Sequence, residues 1–391
     1  MTFIKIGNTH KAHFRKMIKL LYISTNRDWS GSEELWARSS RLFSAQGFAI
    51  ASITSYAHEQ LRAVPGEKLL LLPPSAASTG LPERVWRKIV KPKDKVRQFI
   101  EQYAPDFVIV SQGNNYESLE VMQLLGSMSL PFVTVTQLAS ESFFWAFTND
   151  RLLAIQQAYR SATCNYFVSE HNKRLTDFML GGTLSNAEVI YNPCKIAQSV
   201  PAITQPPSGV YQVALVGRLD CWHKGYDLFL QVIGRPEWKK RPVLFNIYGT
   251  GPHSLLMEQQ ITHLGIQNVR LHGHQADVAA IWAANQLLVM PSRMEGQALA
   301  LIEAMACART AVVTDVGGAT ELIEDNDNGF VAAAATTSSI AEALERAWAG
   351  RADWHQLGQK AAATLAAKYP ADAVEYFNAS VANYFKTAEP A

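Results

Sequence analysis

Short apolar runs recur along this chain, each followed by a polar loop and then a stretch with helical spacing. In the first half they are Ile18–Ser24, Phe48–Ser55, Asp106–Ser111, Pro131–Thr136 and Tyr166–Ser169. In the second half they are Gln212–Val216, Val243–Tyr248, Asn268–Gly273, Leu287–Met290 and Thr310–Asp315. Continuous apolar runs rich in Val and Ile read as strands buried on both faces. Strands that alternate with helices predict parallel sheets assembled from β-α-β units. Residues 195–209, with Pro201, Pro206 and Pro207, read as a linker between two such series. Tyr369-Pro370 breaks the chain before a last helix, Ala371–Phe385. The expected organisation is therefore a first domain over 1–195, a second over 196–370 and a terminal helix over 371–391.

The most informative corner is Glu295-Gly-Gln-Ala-Leu-Ala-Leu-Ile-Glu303. Leu287–Met290 enters it as a strand, and Ala298–Ala308 leaves it as a helix of strong formers. Glu295 sits at the corner, and Glu303 sits about 8 Å of helix beyond the tip. Neither Gln297 nor Ala298 is a capping residue, so the free N–H groups of the tip want an anion from outside. Arg218 and Lys224 flank one loop between a strand and a helix, where two cations can neutralise a diphosphate. Gly31, followed by Ser32, opens a helix after the first strand and lets a phosphate-bearing ligand approach the backbone. Gln112-Gly113-Asn114-Asn115 reads as a polar loop at the carboxyl end of a strand, where open α/β sheets bind ligands.

Glu, seven residues, Glu at the start of a helix resembles the signature of the family 4 retaining glycosyltransferases. Gly217-Arg218-Leu219 followed by Lys224-Gly225 and Asp227-Leu228 is similar to a second block of that family. Gly249-Thr-Gly251-Pro252, the strand ending at Gly273, and Glu188-Val-Ile-Tyr-Asn-Pro193 resemble further blocks. The resemblance covers about 211–331 block by block, and the first half only in its rhythm and its Gly31 loop. It implies an α/β chain of GT-B fold, two Rossmann-like doubly wound domains facing a central cleft. It implies transfer of a sugar from a nucleotide diphosphate sugar, UDP-, GDP- or similar, to a hydroxyl acceptor with retention, in bacterial polysaccharide, lipopolysaccharide or glycolipid synthesis. Arg218, Lys224 and Glu295 would be catalytic. Gly31, Ser32, Gly217, Gly249, His274, Gly296, Gln297, Ala298, Leu299 and Glu303 would line the donor, with His272 and His274 in structural rather than catalytic roles. Gln112, Asn114 and Gln137 would face the acceptor.

Three positions depart from the family. Ser32 replaces a second glycine, Gln137 stands where many members have a histidine near the sugar, and Gln297 replaces a phenylalanine. The alternatives are a GT-B nucleotide-sugar epimerase and a non-catalytic sugar-nucleotide binding protein. A dehydrogenase is disfavoured, because no Gly-x-Gly-x-x-Gly follows the first strand.

The 391 residues, 48% hydrophobic and 18% charged, supply two ordinary cores. A net charge of +2 gives no argument for nucleic acid. Four scattered cysteines, Cys164, Cys194, Cys221 and Cys307, favour a reducing compartment and suggest neither zinc nor a disulfide framework. Asp325-Asn326-Asp327 reads as a turn rather than a metal site, and no metal or cofactor is expected. Met1–Met17 lacks the apolar core of a secretory signal, and no apolar run approaches the roughly 20 residues of a membrane span. The expected location is cytoplasmic. Residues 84–97 carry Arg84, Arg87, Lys88, Lys91, Lys93, Lys95 and Arg97 around Trp86, so a solvated segment and a peripheral anchor on an anionic membrane both fit. The acceptor classes left open are a glycan, a lipid-linked and a small-molecule hydroxyl compound.

Overall fold

The computed structural model describes residues 17–71 except 27 and 30, 92–194 except 147, 196, and 209–386. Two all-parallel sheets organise it. The first contains β1 (Lys19–Ser24), β2 (Ala49–Thr54), β3 (Glu67–Leu70), β4 (Phe107–Asn114), β5 (Phe132–Leu138), β6 (Cys164–Phe167) and β7 (Ala187–Val189), in the order β3-β2-β1-β4-β5-β6-β7. The second contains β8 (Tyr211–Val216), β9 (Val243–Tyr248), β10 (Val269–Gly273), β11 (Leu287–Met290), β12 (Thr310–Thr314) and β13 (Phe330–Ala332), in the order β10-β9-β8-β11-β12-β13. In each sheet the order reverses beside the first strand, between β1 and β4 and between β8 and β11. The crevice at such a reversal, at the carboxyl ends of the strands, is where doubly wound sheets take ligands. Gly31 follows β1, Arg218 follows β8 and Glu295 follows β11, so all three lie at a reversal.

The strands read as continuous apolar runs because both faces are buried. On β1, Leu21 and Ile23 pack with Val108 and Val110 on one face, while Leu20 and Tyr22 pack with Ile109 on the other. On β8, Val213 and Leu215 pack with Phe229, and Ala214 turns the other way toward Leu288. The terminal helix Ala373–Lys386 lies on the first domain. There Ser39 Oγ donates to Asn378 Oδ1 at 2.6 Å and Phe377 packs edge-on to Tyr166, with ring centroids 5.4 Å apart.

Several expectations are corrected. β4 runs through Asn114, so Gln112, Gly113 and Asn114 are strand rather than loop; pairing with β5 continues there, with Gln112 opposite Thr136 and Asn114 opposite Leu138. Within the basic segment a helix opens at Pro92 and runs to Tyr103, since a first helical position needs no N–H. The helix at the informative corner spans Leu299–Ala306, with Ala298 at its cap position, so Glu303 sits only about 6 Å inside. Arg84, Arg87, Lys88 and Lys91 lie outside the described residues, as do linker residues 195 and 197–208. Among the described residues no helix is long and apolar enough to cross a membrane.

Candidate active site

Two loops at the carboxyl edge of the second sheet form one rigid piece. Asp220 caps the short helix Cys221–Lys224, accepting from Trp222 N at 3.0 Å and His223 N at 3.3 Å. Burial pushes the Asp220 carboxyl up, but hydrogen bonds from the His223 ring and backbone outweigh it and hold it below its ordinary range. The carbonyl of His223 accepts from Arg293 N at 2.8 Å and Met294 N at 3.2 Å. Arg293 grips Asp227 through two hydrogen bonds, each 2.7 Å, and donates to the Cys221 carbonyl at 2.7 Å. Gly225 ends the short helix with φ +65°, and a Cβ there would lie 1.9 Å from the Pro291 carbonyl oxygen. Only glycine fits that left-handed, closely packed position.

This piece fixes Lys224 and Glu295 against each other. Lys224 Nζ donates to Glu295 Oε1 at 2.7 Å, and Ser292 Oγ donates to the same oxygen at 2.7 Å. Glu295 is buried, and Lys224 is partly open. An ammonium has three protons, so one bond to Glu295 leaves Lys224 able to face a second anion. Arg218 is exposed on the same loop.

The helix Leu299–Ala306 starts without a side-chain cap, as its sequence predicts. Gly31 of the first domain faces this tip: a Cβ on Gly31 would lie 2.8 Å from Leu299 Cδ1. Ser32 follows Gly31 and immediately precedes the helix Glu33–Ala45. Two helix starts therefore look at one another across the cleft. Glu303 is buried one turn below the tip. Gly217 N donates to the Tyr248 carbonyl at 3.0 Å and Gly249 N to the Gly273 carbonyl at 2.7 Å, so the two glycines end neighbouring strands together. His274 is exposed just beyond β10. His272 has a packing role, bonded to Asn246 Oδ1 at 2.8 Å and stacked on Tyr248.

The residues expected on the acceptor side separate. Gln112 is fully buried; its Nε2 donates to Thr136 Oγ1 at 2.8 Å and to Tyr159 OH at 3.0 Å, and its Oε1 accepts from Ser118 Oγ at 2.6 Å. Those bonds make it a structural hub, with nothing left for an acceptor. Asn114 stays half-buried at the end of β4. Gln137 lies on the domain seam, its carbonyl oxygen against Gly296, where a Cβ would come within 1.7 Å. It faces the Glu295 loop of the second domain. Asp325 and Asp327 bond to Arg346 at 2.7 Å and Lys360 at 2.5 Å, which ties the turn to two helices.

Sequence reasoning missed Ser292, Arg293, Asn172 and Asn192. Arg293 stands in the Pro-Ser-Arg-Met turn that ends a strand, but its partner Asp227, in the helix Tyr226–Ile233, is remote in the chain. Asn192 stood in the Glu188–Pro193 block but its partners, remote in the chain, did not show there, and Asn172 had no signal.

Two Rossmann-like domains whose switch points face each other across a cleft define the GT-B architecture of glycosyltransferases. Residues 211–349 match the family model of the glycosyl transferases group 1. The α-D-kanosaminyltransferase of Streptomyces kanamyceticus is 29% identical over 160 residues, 40% of this chain and 41% of the relative. The poly(ribitol-phosphate) α-N-acetylglucosaminyltransferase of Staphylococcus aureus is 28% identical over 39% of this chain and 31% of its own length. The alignments thus span less than half of these curated relatives. The whole fold is found in HepE of Anabaena in complex with UDP and glucose, at TM-score 0.71, 18% identity, and coverage of 95% of this chain and 100% of that one. It is found also in the sucrose-phosphate synthase of Thermosynechococcus elongatus, at TM-score 0.75, 15% identity, and coverage of 95% and 100%.

Proposed function

We propose that this chain is a retaining, metal-independent glycosyltransferase that moves a sugar from a nucleotide diphosphate sugar to a hydroxyl acceptor in glycan or glycolipid synthesis. The observation that carries this reading is the Lys224–Glu295 pair, 2.7 Å apart, beside an uncapped helix tip that faces Gly31. Four features meet there: a cation pair, a buried carboxylate, free backbone N–H groups and a glycine that admits phosphate.

The diphosphate binds the Leu299–Ala306 tip and the Gly31–Ser32 turn, with Arg218 and Lys224 supplying positive charge. As the bond from the anomeric carbon to the diphosphate oxygen breaks, negative charge grows on that oxygen. Preorganised cations at that point are usually the dominant catalytic contribution. The acceptor oxygen bonds to the anomeric carbon, and its proton passes to the departing phosphate oxygen. Glu295, fixed by Lys224 and Ser292, orients the sugar through a hydroxyl, and Glu303 grips the ribose. The amides of Gly296, Gln297 and Ala298 hold sugar hydroxyls or phosphate oxygens, and the backbone around Gly249 and His274 lines the base. Lys93, Lys95 and Arg97 lie on the exposed side of their helix, in line with an anionic membrane surface and a lipid-linked acceptor. Lys93 and Arg97 are already paired with Glu120 and Glu101, which weakens that pull.

A thermal-shift and hydrolysis screen against UDP-, GDP-, ADP- and dTDP-sugars, with and without EDTA, tests this reading. Stabilisation by one donor, unchanged by EDTA, is expected. A shift only with added metal would overturn the Arg218/Lys224 assignment, and sugar isomerisation without any acceptor would replace the transferase by an epimerase.

A further inference from the structure

The start of one first-domain helix takes its cap from the other domain. Glu321 Oε1 accepts from His171 N at 2.7 Å, and Glu321 Oε2 accepts from Glu170 N at 3.2 Å. These are the first two N–H groups of the helix Glu170–Met179, and the third, of Asn172, goes to Ser169 Oγ at 3.1 Å. Glu321 itself belongs to the second domain, on the short helix Ala319–Leu322 after β12. The two halves touch beside it: a Cβ on Gly318 would lie 2.8 Å from Ser169 Cβ. The same turn reaches the Glu295 loop, for Gly318 N donates to the Gly296 carbonyl at 2.7 Å. Behind it the Glu321 carbonyl accepts from Lys368 Nζ at 2.5 Å, one residue before Tyr369-Pro370 and the terminal helix.

Helix starts usually take their cap from the residue that precedes them. Such a cap survives any motion of two domains, as the Ser169 cap would here. The Glu321 cap exists only while the domains meet. With the domains apart, both N–H groups and the carboxylate return to water. The closed form alone therefore gains a carboxylate on the positive end of a helix dipole, through two charge-assisted hydrogen bonds. A contact made in only one of two arrangements shifts the balance between them by its own free energy.

We propose that Glu321 is a positioning residue, a latch that holds the cleft closed over the donor and opens to release the spent nucleotide diphosphate. It touches no reacting atom. It acts through the turn at Gly318, which seats the Gly296 backbone against the first domain. Opening of such closures sets the turnover of many enzymes. The latch stands on the contacts above, and its hold on the nucleotide rests on the donor-site reading.

The test compares the full chain with its Glu321→Ala, Glu321→Gln and Ser169→Ala variants. Amide exchange and small-angle scattering without ligand read the latch itself. In Glu321→Ala the Glu170 and His171 amides should exchange about tenfold faster, the worth of one charge-assisted bond, and the particle should be more open. Stopped-flow displacement of UDP or GDP, whichever binds, reads its effect. Dissociation should speed up about tenfold in Glu321→Ala and less in Glu321→Gln, which keeps an acceptor oxygen without its charge. Ser169→Ala removes a cap made within the first domain, so it should lower the melting temperature and leave dissociation within about twofold of the wild type. A Glu321→Ala variant that behaves like Ser169→Ala, melting lower with scattering and dissociation unchanged, would overturn the proposal. Binding of neither UDP nor GDP would overturn the release role together with the donor reading, while scattering without ligand still decides whether Glu321 closes the particle.

Discussion

In the second domain the site residues sit on turns whose backbones touch. Gly225 lies under Pro291, His223 accepts from Arg293 and Met294, and Lys224 meets Glu295. In the first domain the polar residues at the same edge of the sheet are consumed by buried side-chain networks. Glu33 accepts from Tyr56, Asn26 and Trp36, and Gln112 bonds to Thr136, Tyr159 and Ser118. Close backbone contact permits few residue types and fixed spacings, so it leaves a readable motif. A side-chain network can be built from many residue combinations scattered along the chain, so it leaves none. The contrast also fits a donor half that holds a common diphosphate and an acceptor half that holds a variable partner.

The sharpest way to break this contrast is Lys224→Met. It removes charge from the proposed diphosphate site and leaves the buried Glu295 with Ser292 alone. Transfer should fall about 10²–10³-fold in kcat, read from initial rates at saturating donor. A fall of less than threefold would place the catalytic charge elsewhere.

Gly296→Ala acts on the seam. Its Cβ would meet the Gln137 carbonyl at 1.7 Å, so the two halves must move apart. We expect about a tenfold to hundredfold loss of kcat/KM, since small misplacements of reacting groups are expensive. Small-angle scattering should show a more open particle while circular dichroism stays unchanged. Glu321 holds the seam from the other side, accepting from His171 N at 2.7 Å and Glu170 N at 3.2 Å at the start of the Glu170–Met179 helix.

Glu303→Ala should raise the donor KM about tenfold and change kcat much less, the pattern of lost uniform binding. An unaltered donor KM refutes its assigned grip on the ribose.

The smallest effect belongs to the first domain. Burial raises the Glu33 carboxyl above its ordinary value of 4.5, although hydrogen bonds from Tyr56, Asn26 and Trp36 oppose this. The folded chain therefore holds that proton longer than the unfolded chain. The resulting stability is fully present below 4.5 and is lost as pH rises through the raised folded value. From acid to neutral pH the melting temperature should fall less, or rise more, in Glu33→Gln than in the wild type. Equal slopes would mean that Glu33 titrates alike in both states.

Much of the fold was legible because fully buried parallel strands write themselves as apolar runs. Val243–Tyr248 and Leu287–Met290 were read to the residue. The short edge strand Glu67–Leu70 was not, since its residues are mostly exposed and carry two charges. Gln112 misled because a polar residue after an apolar run looks like a loop, while pairing with β5 keeps it in the strand and buries it. The Lys224–Glu295 pair was half legible: both residues stood out, but not that they bond to each other. The seam contacts of Gln137, Asn192 and Glu321 join residues far apart in the chain, and no local pattern announces them.

Hydrogen–deuterium exchange of the full chain, with and without the donor that stabilises it most, tests the central claim most directly. The account predicts slowed exchange over Gly217–Gly225 and Gly296–Glu303, where the diphosphate and sugar are held, and little change over Phe107–Asn114. Protection of the first sheet's edge with none at Gly296–Glu303 would contradict it.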